Sequence, residues 1–132
     1  MRILIVEDDR TSLVYERKIL ESAGHEVEAA GDGASAMEMV ETRPFDVVIM
    51  DIVLPWASGA EIARCMRELE RSGKLEGVNG RRRLHIIACT GAATEGDKET
   101  FAEVGMDDYL AKPVRRASLL AAVDRAAAKI NA

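Results

Sequence analysis

The strongest constraint on the fold is a fivefold alternation of short aliphatic runs with segments of helical spacing. The segments of strand length lie at residues 3–6, 25–30, 45–50, 84–89 and 108–111, and the second of them is weaker in pattern than the first. Helical segments follow them at 11–23, after the turn at 32–33, from about 58, at 95–104 and from about 115. Repeated strand–helix units predict an α/β domain with a parallel sheet covered by helices on both faces.

Buried side chains are predicted from the same spacing. In the first helical segment Tyr15, Ile19 and Ala23 recur every four residues and are predicted to face the core. Cys65 and Cys89 each lie inside an apolar segment, 24 positions apart, which suits neither a metal site nor a disulfide framework. We predict two buried thiols.

Size and charge exclude several classes of protein. With 132 residues, of which 48% are hydrophobic, the chain is predicted to form one domain over residues 1–132. Its apolar runs are too short to span a bilayer, and the charge at Glu7 comes too early for a signal peptide, so we expect a cytoplasmic protein without membrane contact. The net charge of −5 disfavours direct nucleic-acid binding.

Polar residues follow the strands where each strand ends. The carboxylates of Glu7, Asp8 and Asp9 follow the first strand, and that of Asp51 ends the third. The hydroxyl of Thr90 ends the fourth strand, and the ammonium of Lys112 follows the fifth. In open parallel sheets, ligands bind outside the carboxyl ends of the strands, so these groups are predicted to converge.

The converging groups predict phosphoryl-transfer chemistry. Carboxylates about 4 Å apart repel by roughly 4 kcal/mol per pair at an effective dielectric near 20, which calls for protons or a cation such as Mg²⁺. Asp51 ends the most apolar strand and is the candidate nucleophile for an aspartyl-phosphate. Thr90 would donate a hydrogen bond to one phosphoryl oxygen, and Lys112 would neutralise another.

Four motifs in order carry a resemblance to a known family: ILIVEDD, VVIMDIVLPWASG, IIACTGA and GMDDYLAKP. The gaps of 43 residues from Asp8 to Asp51 and 22 from Thr90 to Lys112 agree with it. The sequence resembles the receiver domain of a two-component response regulator, either single-domain or of the hybrid-kinase and phosphorelay type. The resemblance implies a flavodoxin-like, doubly wound (βα)5 fold with strand order 2-1-3-4-5.

The resemblance also implies a ligand set and a phosphodonor. Glu7 and Asp8 would be the acidic pair, with Asp9 outside it. Mg²⁺ would be held by Asp8, Asp51 and the backbone carbonyl of Val53, with Glu7 acting through water. Asp51 would be phosphorylated by a phosphohistidine of a sensor kinase or histidine phosphotransfer protein.

A switch is implied in the same way. The resemblance implies a cis peptide bond at Lys112-Pro113, and it places Tyr109 at the switch aromatic, which turns inward when Thr90 moves toward the phosphoryl group. The fourth helix, fifth strand and fifth helix would present the phosphorylated state to a downstream target protein. Such a domain is not an enzyme for a separate substrate, because it catalyses its own phosphotransfer and autodephosphorylation. The given sequence ends at Ala132 with no effector domain, so we expect either a single-domain regulator or shuttle, or a receiver cut from a longer protein, with output through another protein.

Some positions depart from the family pattern or extend it. Trp56 is either a loop hydrophobe covering the third helix or a partner contact or lid. Gly91 stands where the family often has alanine, and the smaller residue would open access to the phosphoryl group. The polar connection at residues 72–83, with Arg81-Arg82-Arg83, is predicted to be a surface excursion, as in hybrid-kinase receivers; its arginines are either solvated or dock an acidic partner.

Two alternatives belong to other classes. An aspartyl-phosphate phosphatase of the haloacid-dehalogenase type would need a second acid two residues after the nucleophile, where this chain has Val53. A phosphate-independent pseudo-receiver adaptor would not need the acidic pair, Asp51, Thr90 and Lys112 together. Both alternatives leave the fold unchanged.

Overall fold

The computed structural model describes residues 1–80, 82–91 and 94–131. The strands are β1 (Arg2–Val6), β2 (Glu26–Ala30), β3 (Val47–Asp51), β4 (His85–Thr90) and β5 (Asp108–Ala111). The helices are α1 (Arg10–Ser22), α2 (Gly33–Thr42), α3 (Gly59–Arg71), α4 (Glu76–Asn79), α5 (Glu95–Glu103) and α6 (Arg116–Ile130). Among the described residues, no helix is both long and apolar enough to cross a membrane.

The five strands form one parallel sheet in the order β2-β1-β3-β4-β5, which confirms the α/β class and the predicted strand order. β3 lies at the centre, and all five of its residues are buried. An uninterrupted aliphatic run suits this place because helices cover both faces of the sheet and leave neither face to water.

Alternate side chains of each strand enter one of two cores. Leu4 and Val6 of β1 point to the face covered by α2, α3 and α5, whereas Ile3 and Ile5 point to the face covered by α1 and α6. This alternation follows from the two-residue period of a strand. Burial on both faces therefore fixes the register of the sheet, and with it the alignment of the strand ends.

The polar connection before β4 is more ordered than a surface excursion. It contains the short helix α4, so the helix predicted as the fourth is α5 and the last helix is α6. Leu75 is buried in the core, and the buried Asn79 accepts a hydrogen bond from Phe45 N at 3.0 Å and donates one to Phe45 O at 3.1 Å. A four-residue helix shows no readable period, which explains why the sequence pattern missed it.

Two burial predictions are wrong. Ile19 is buried as predicted, but Tyr15 and Ala23 are exposed, and α1 buries Glu16 and Leu20 in their place. The helix is thus turned by about one residue from the predicted face, because a buried carboxyl with a raised pKa occupies a place that a polarity pattern assigns to water. Cys89 is buried as predicted, but Cys65 lies on the exposed side of α3.

Candidate functional site

Four strand ends meet at the carboxyl edge of the sheet. Asp51 pairs in register with Cys89, and the next residue of β4, Thr90, pairs with Ala111 of β5. The backbone N–H of Lys112 donates to the carbonyl of Thr90 at 2.8 Å. The parallel register therefore brings the carboxylate, the hydroxyl and the ammonium to neighbouring positions.

Three carboxylates form one cluster at this edge. Glu7, Asp8 and Asp51 each offer an oxygen, and these oxygens all lie within 4.8 Å of one another. Glu7 and Asp51 are each only 4% exposed, while Asp8 is exposed. Such a cluster concentrates negative charge where water can neutralise little of it.

Asp9 stands outside the cluster. Its Oδ2 accepts hydrogen bonds from Ser12 N at 3.0 Å and from Ser12 Oγ at 2.6 Å, so it caps the start of α1. These hydrogen bonds lower the pKa of Asp9. The carboxylate is thereby committed to the helix terminus.

Lys112 binds the buried carboxylates directly. Its Nζ lies 2.8 Å from Asp51 Oδ2 and 3.5 Å from Glu7 Oε1. Burial opposes the charge on Lys112, but its hydrogen bonds and its attraction to the two carboxylates outweigh this effect and raise its pKa. Lys112 is therefore held as an ammonium at the candidate nucleophile.

One ammonium does not balance three carboxylates. Burial and, next, the neighbouring Asp51 raise the pKa of Glu7 from 4.5 to about 7. The cluster thus retains affinity for a proton at near-neutral pH, which shows that its negative charge is incompletely compensated. A set made only of carboxylate oxygens with an open side fits a hard divalent cation such as Mg²⁺.

The loop after Asp51 is fixed by backbone contacts. Val53 N donates to Asp51 Oδ1 at 3.1 Å, and Gly59 N donates to Ile52 O at 2.8 Å. A Cβ on Gly59 would lie 2.1 Å from the carbonyl oxygen of Asp51, so only glycine fits here. The sequence analysis missed this residue; the only signal was a glycine at the start of α3.

Trp56 lies in the same loop and is almost fully exposed. Its side chain is 94% exposed, and its backbone is left-handed, with φ of 64°. This exposure rules out the interpretation of Trp56 as a loop hydrophobe covering α3. The interpretation as a partner contact stays open at this point.

Tyr109 and Pro113 lie on either side of Lys112 in the sequence. The Tyr109 ring is exposed, and the Nζ of Lys98 from α5 lies 4.5 Å from its centroid. The ring thus points outward between α5 and β5 in this structure. The Lys112-Pro113 bond is cis, the geometry that the resemblance implies.

Glu16 is a buried carboxylate outside the cluster, and the sequence analysis did not predict its burial. It is 3% exposed on the inner side of α1, and burial raises its pKa to about 7. Lys112 lowers this pKa and Asp51 raises it, so Glu16 lies within electrostatic range of the site. Its position within a charged stretch of the helix gave no signal of burial.

Arg82 and Arg83 lie away from the carboxyl edge. Arg82 binds Asp46 at 3.0 Å and Arg83 binds Asp107, while Arg81 lies outside the described residues. A cavity of about 670 Å³ beside Arg82 and Arg83 has Leu75 and Val104 in its wall, and its described lining shares no residue with the carboxyl edge. Arg82 and Arg83 are thus engaged in ion pairs within the domain.

Comparison with known proteins agrees with this geometry. Sensor histidine kinase GacS of Pseudomonas protegens is 34% identical over 120 residues, which make up 89% of this chain and 12% of GacS. The chain therefore matches only a short segment of that protein.

Solved structures match over nearly the whole chain. The receiver domain of sensor histidine kinase PA1611 from Pseudomonas aeruginosa, solved with a magnesium ion coordinated in its active site cleft, is 34% identical with a TM-score of 0.75, and the match covers 94% of each chain. Chemotaxis response regulator CheY4 of Vibrio cholerae is 27% identical with a TM-score of 0.81, covering 95% of this chain and 97% of CheY4.

A family model covers most of the chain as well. The model of the response regulator receiver domain matches residues 3–124. That range contains every residue of the carboxyl-edge site and all five strands, except for Arg2 at the start of β1. The chain therefore belongs to the family of response regulator receiver domains of two-component systems.

Proposed function

We propose that the chain is a phosphorylation-dependent signalling switch whose phosphoacceptor is Asp51. The observation that carries this proposal is the contact of 2.8 Å between Asp51 Oδ2 and Lys112 Nζ inside a cluster of carboxylates. Asp51 is buried, lies beside the carboxylates of Glu7 and Asp8, and contacts the ammonium of Lys112. This environment suits a carboxylate whose oxygen attacks phosphorus to form an acyl phosphate.

The proposed donor is a phosphohistidine of a histidine kinase or histidine phosphotransfer protein. One oxygen of Asp51 forms a bond to phosphorus while the phosphorus–nitrogen bond breaks. The bonding pair returns to the imidazole nitrogen, and the donor is left as an uncharged histidine after proton exchange with water. To restore the unphosphorylated state, water attacks the phosphorus and Asp51 leaves as a carboxylate, releasing inorganic phosphate.

Two other side chains stabilise the charge on the transferred group. Lys112 already lies at hydrogen-bond distance from Asp51 and can remain on a phosphoryl oxygen. Thr90 ends the neighbouring strand, and its hydroxyl can donate to another phosphoryl oxygen. The sheet register places both residues beside Asp51, so their side chains need only turn toward the phosphoryl group.

The carboxylate cluster would hold Mg²⁺. We assign as its ligands Asp8, Asp51 and the backbone carbonyl of Val53, with Glu7 acting through water. When bound, the ion would neutralise negative charge between the carboxylates and the phosphoryl oxygens. The magnesium ion in the active site cleft of PA1611 supports this assignment.

The output surface is proposed to be the face formed by α5, β5 and α6. Tyr109 lies on it, and the outward position of its ring would change when Thr90 engages the phosphoryl group. A downstream target protein would bind this face in one of the two states. The proposal includes no direct contact with nucleic acid.

A direct test uses a small phosphodonor. The protein is incubated with acetyl phosphate and Mg²⁺, and its intact mass is measured. The proposal predicts a gain of one phosphoryl group, lost in Asp51→Asn and kept in the control Asp46→Asn at the opposite edge of the sheet. Equal labelling of Asp51→Asn, or no labelling of the wild type by this or any phosphohistidine donor, would contradict the proposal and favour a phosphate-independent adaptor.

A further inference from the structure

The exposure of Trp56 has no explanation in the fold. The indole is 94% exposed and so contributes nothing to either core. Its left-handed backbone, with φ of 64°, is disfavoured for any residue that carries a Cβ. A large aromatic side chain held in this way points to a role outside the domain itself.

Trp56 belongs to an apolar rim beside the phosphoacceptor. Val53 is 78% exposed, and its backbone N–H donates to Asp51 Oδ1 at 3.1 Å. The segment that joins β3 to α3, residues 52–58, carries no charged side chain. We use the name acceptor rim for Val53 and Trp56.

The chemistry of transfer indicates what covers the acceptor rim. Asp51 is 4% exposed, so a phosphohistidine can reach its oxygen only if the donor protein lies closely over the opening. Val53 contacts Asp51 itself, and Trp56 follows three residues later in the same loop. Exposed aromatic side chains surrounded by uncharged surface are typical anchors of protein interfaces.

We propose that the acceptor rim is the docking surface for the phosphohistidine-bearing donor protein, with Trp56 as its anchor. The inference rests on the proposed function, since it presumes transfer to Asp51. Trp56 is a docking residue and not a catalytic one, because the polar contacts of Asp51 in the described part of the chain come from Val53 N and Lys112 Nζ and not from the indole. Donors too small to form an interface therefore do not depend on it.

The test compares protein and small-molecule donors. All histidine kinases and histidine phosphotransfer proteins of the organism that encodes this chain are purified in phosphorylated form, and the one that labels the wild type fastest is used. We expect Trp56→Ala to lower the second-order rate constant with this protein at least tenfold, and to change the rate with acetyl phosphate less than twofold. Trp56→Phe should restore most of the rate, and Arg82→Ala should have no effect.

Several outcomes would overturn the docking proposal while leaving Asp51 as the acceptor. These are an unchanged rate of Trp56→Ala with the protein donor, an equal loss with acetyl phosphate, and the absence of any protein donor that labels a chain which acetyl phosphate labels. If acetyl phosphate also fails to label Asp51, the proposed function itself is wrong. A melting curve of Trp56→Ala that matches the wild type shows that the variant is folded.

A spectroscopic readout locates the contact. Trp56 is the one tryptophan of the chain, so incorporation of 5-fluorotryptophan gives a single ¹⁹F resonance. We expect this resonance to shift when the unphosphorylated donor protein is added and to stay constant when the labelled chain is concentrated alone. A shift with concentration alone would assign the rim to a second copy of this chain, and no shift with the donor would place docking elsewhere.

Discussion

The ammonium of Lys112 lies 2.8 Å from Asp51 Oδ2, inside a cluster that also holds the carboxylates of Glu7 and Asp8. This contact joins the end of β5 to the end of β3, across the end of β4 that lies between them. It accounts for one of the negative charges of the cluster and leaves the others uncompensated. The ion balance of the site is therefore completed by binding, either of protons or of a cation.

Mg²⁺ is expected to stabilise the folded protein. With a dissociation constant of about 1 mM, a Mg²⁺ concentration of about 10 mM would raise the free energy of unfolding by about 1.4 kcal/mol. Asp8→Asn should abolish this gain because it removes an exposed ligand of the cluster. Urea unfolding with and without Mg²⁺ measures the effect, and the exposed control Glu41→Gln should keep the gain. A gain that persists in Asp8→Asn would contradict the assignment.

Glu16 is expected to make stability fall as pH rises. Its pKa in the folded state is raised from 4.5 to about 7, so between these values the folded protein binds a proton that the unfolded chain has lost. The free energy of unfolding therefore keeps its full value with respect to Glu16 below pH 4.5. It falls by up to about 3 kcal/mol as the pH rises to 7.

The substitution Glu16→Gln isolates this effect. We expect equal stability of variant and wild type at pH 4, which lies below both pKa values of Glu16, and a variant that is more stable at pH 8, in urea unfolding without Mg²⁺. Glu41→Gln, an exposed site, should follow the wild type at both values. If the difference in the free energy of unfolding between Glu16→Gln and wild type does not change with pH, ionisation of the buried Glu16 carboxyl does not destabilise the fold.

Gly59 and Gly91 form a matched pair of glycine positions. Alanine at Gly59 would place a Cβ 2.1 Å from the backbone oxygen of Asp51, so the chain must shift at the phosphoacceptor. We expect Gly59→Ala to cost about 1–3 kcal/mol of stability and to slow labelling by acetyl phosphate. At Gly91 a Cβ meets nothing within 4 Å, so Gly91→Ala should change stability by less than about 0.5 kcal/mol. Comparable losses at both sites would contradict the close contact at Gly59.

Asn79 is expected to anchor the segment before β4. Asn79→Ala removes both side-chain hydrogen bonds to the backbone of Phe45, leaving a buried N–H and a buried carbonyl without these partners. The loss should be about 1–3 kcal/mol in urea unfolding. The exposed neighbour Lys74→Ala should cost little. If Asn79→Ala is as stable as the wild type, Asn79 does not anchor the segment before β4, and the segment is a surface excursion.

The sequence analysis predicted the sheet because burial on both faces demands uninterrupted aliphatic strands, and parallel strands align their ends. For this reason the positions of Asp51, Thr90 and Lys112 at one edge could be predicted without coordinates. The distances between them could not, since they depend on register and on side-chain conformation. The parts of the fold that sequence patterns missed each follow from a local exception. α4 has only four residues, Glu16 is a charged residue that is buried, and Cys65 is an apolar residue that faces water.

The central claim is that Asp51, and no other carboxylate of the cluster, receives the phosphoryl group. An acyl phosphate is reduced by borohydride to an alcohol, which converts the phosphorylated aspartate into homoserine and can be located by peptide mass spectrometry. After labelling with acetyl phosphate and Mg²⁺, the account predicts homoserine at Asp51 alone. Homoserine at Asp8 or Asp9, or its absence from a protein that has gained a phosphoryl group, would contradict it.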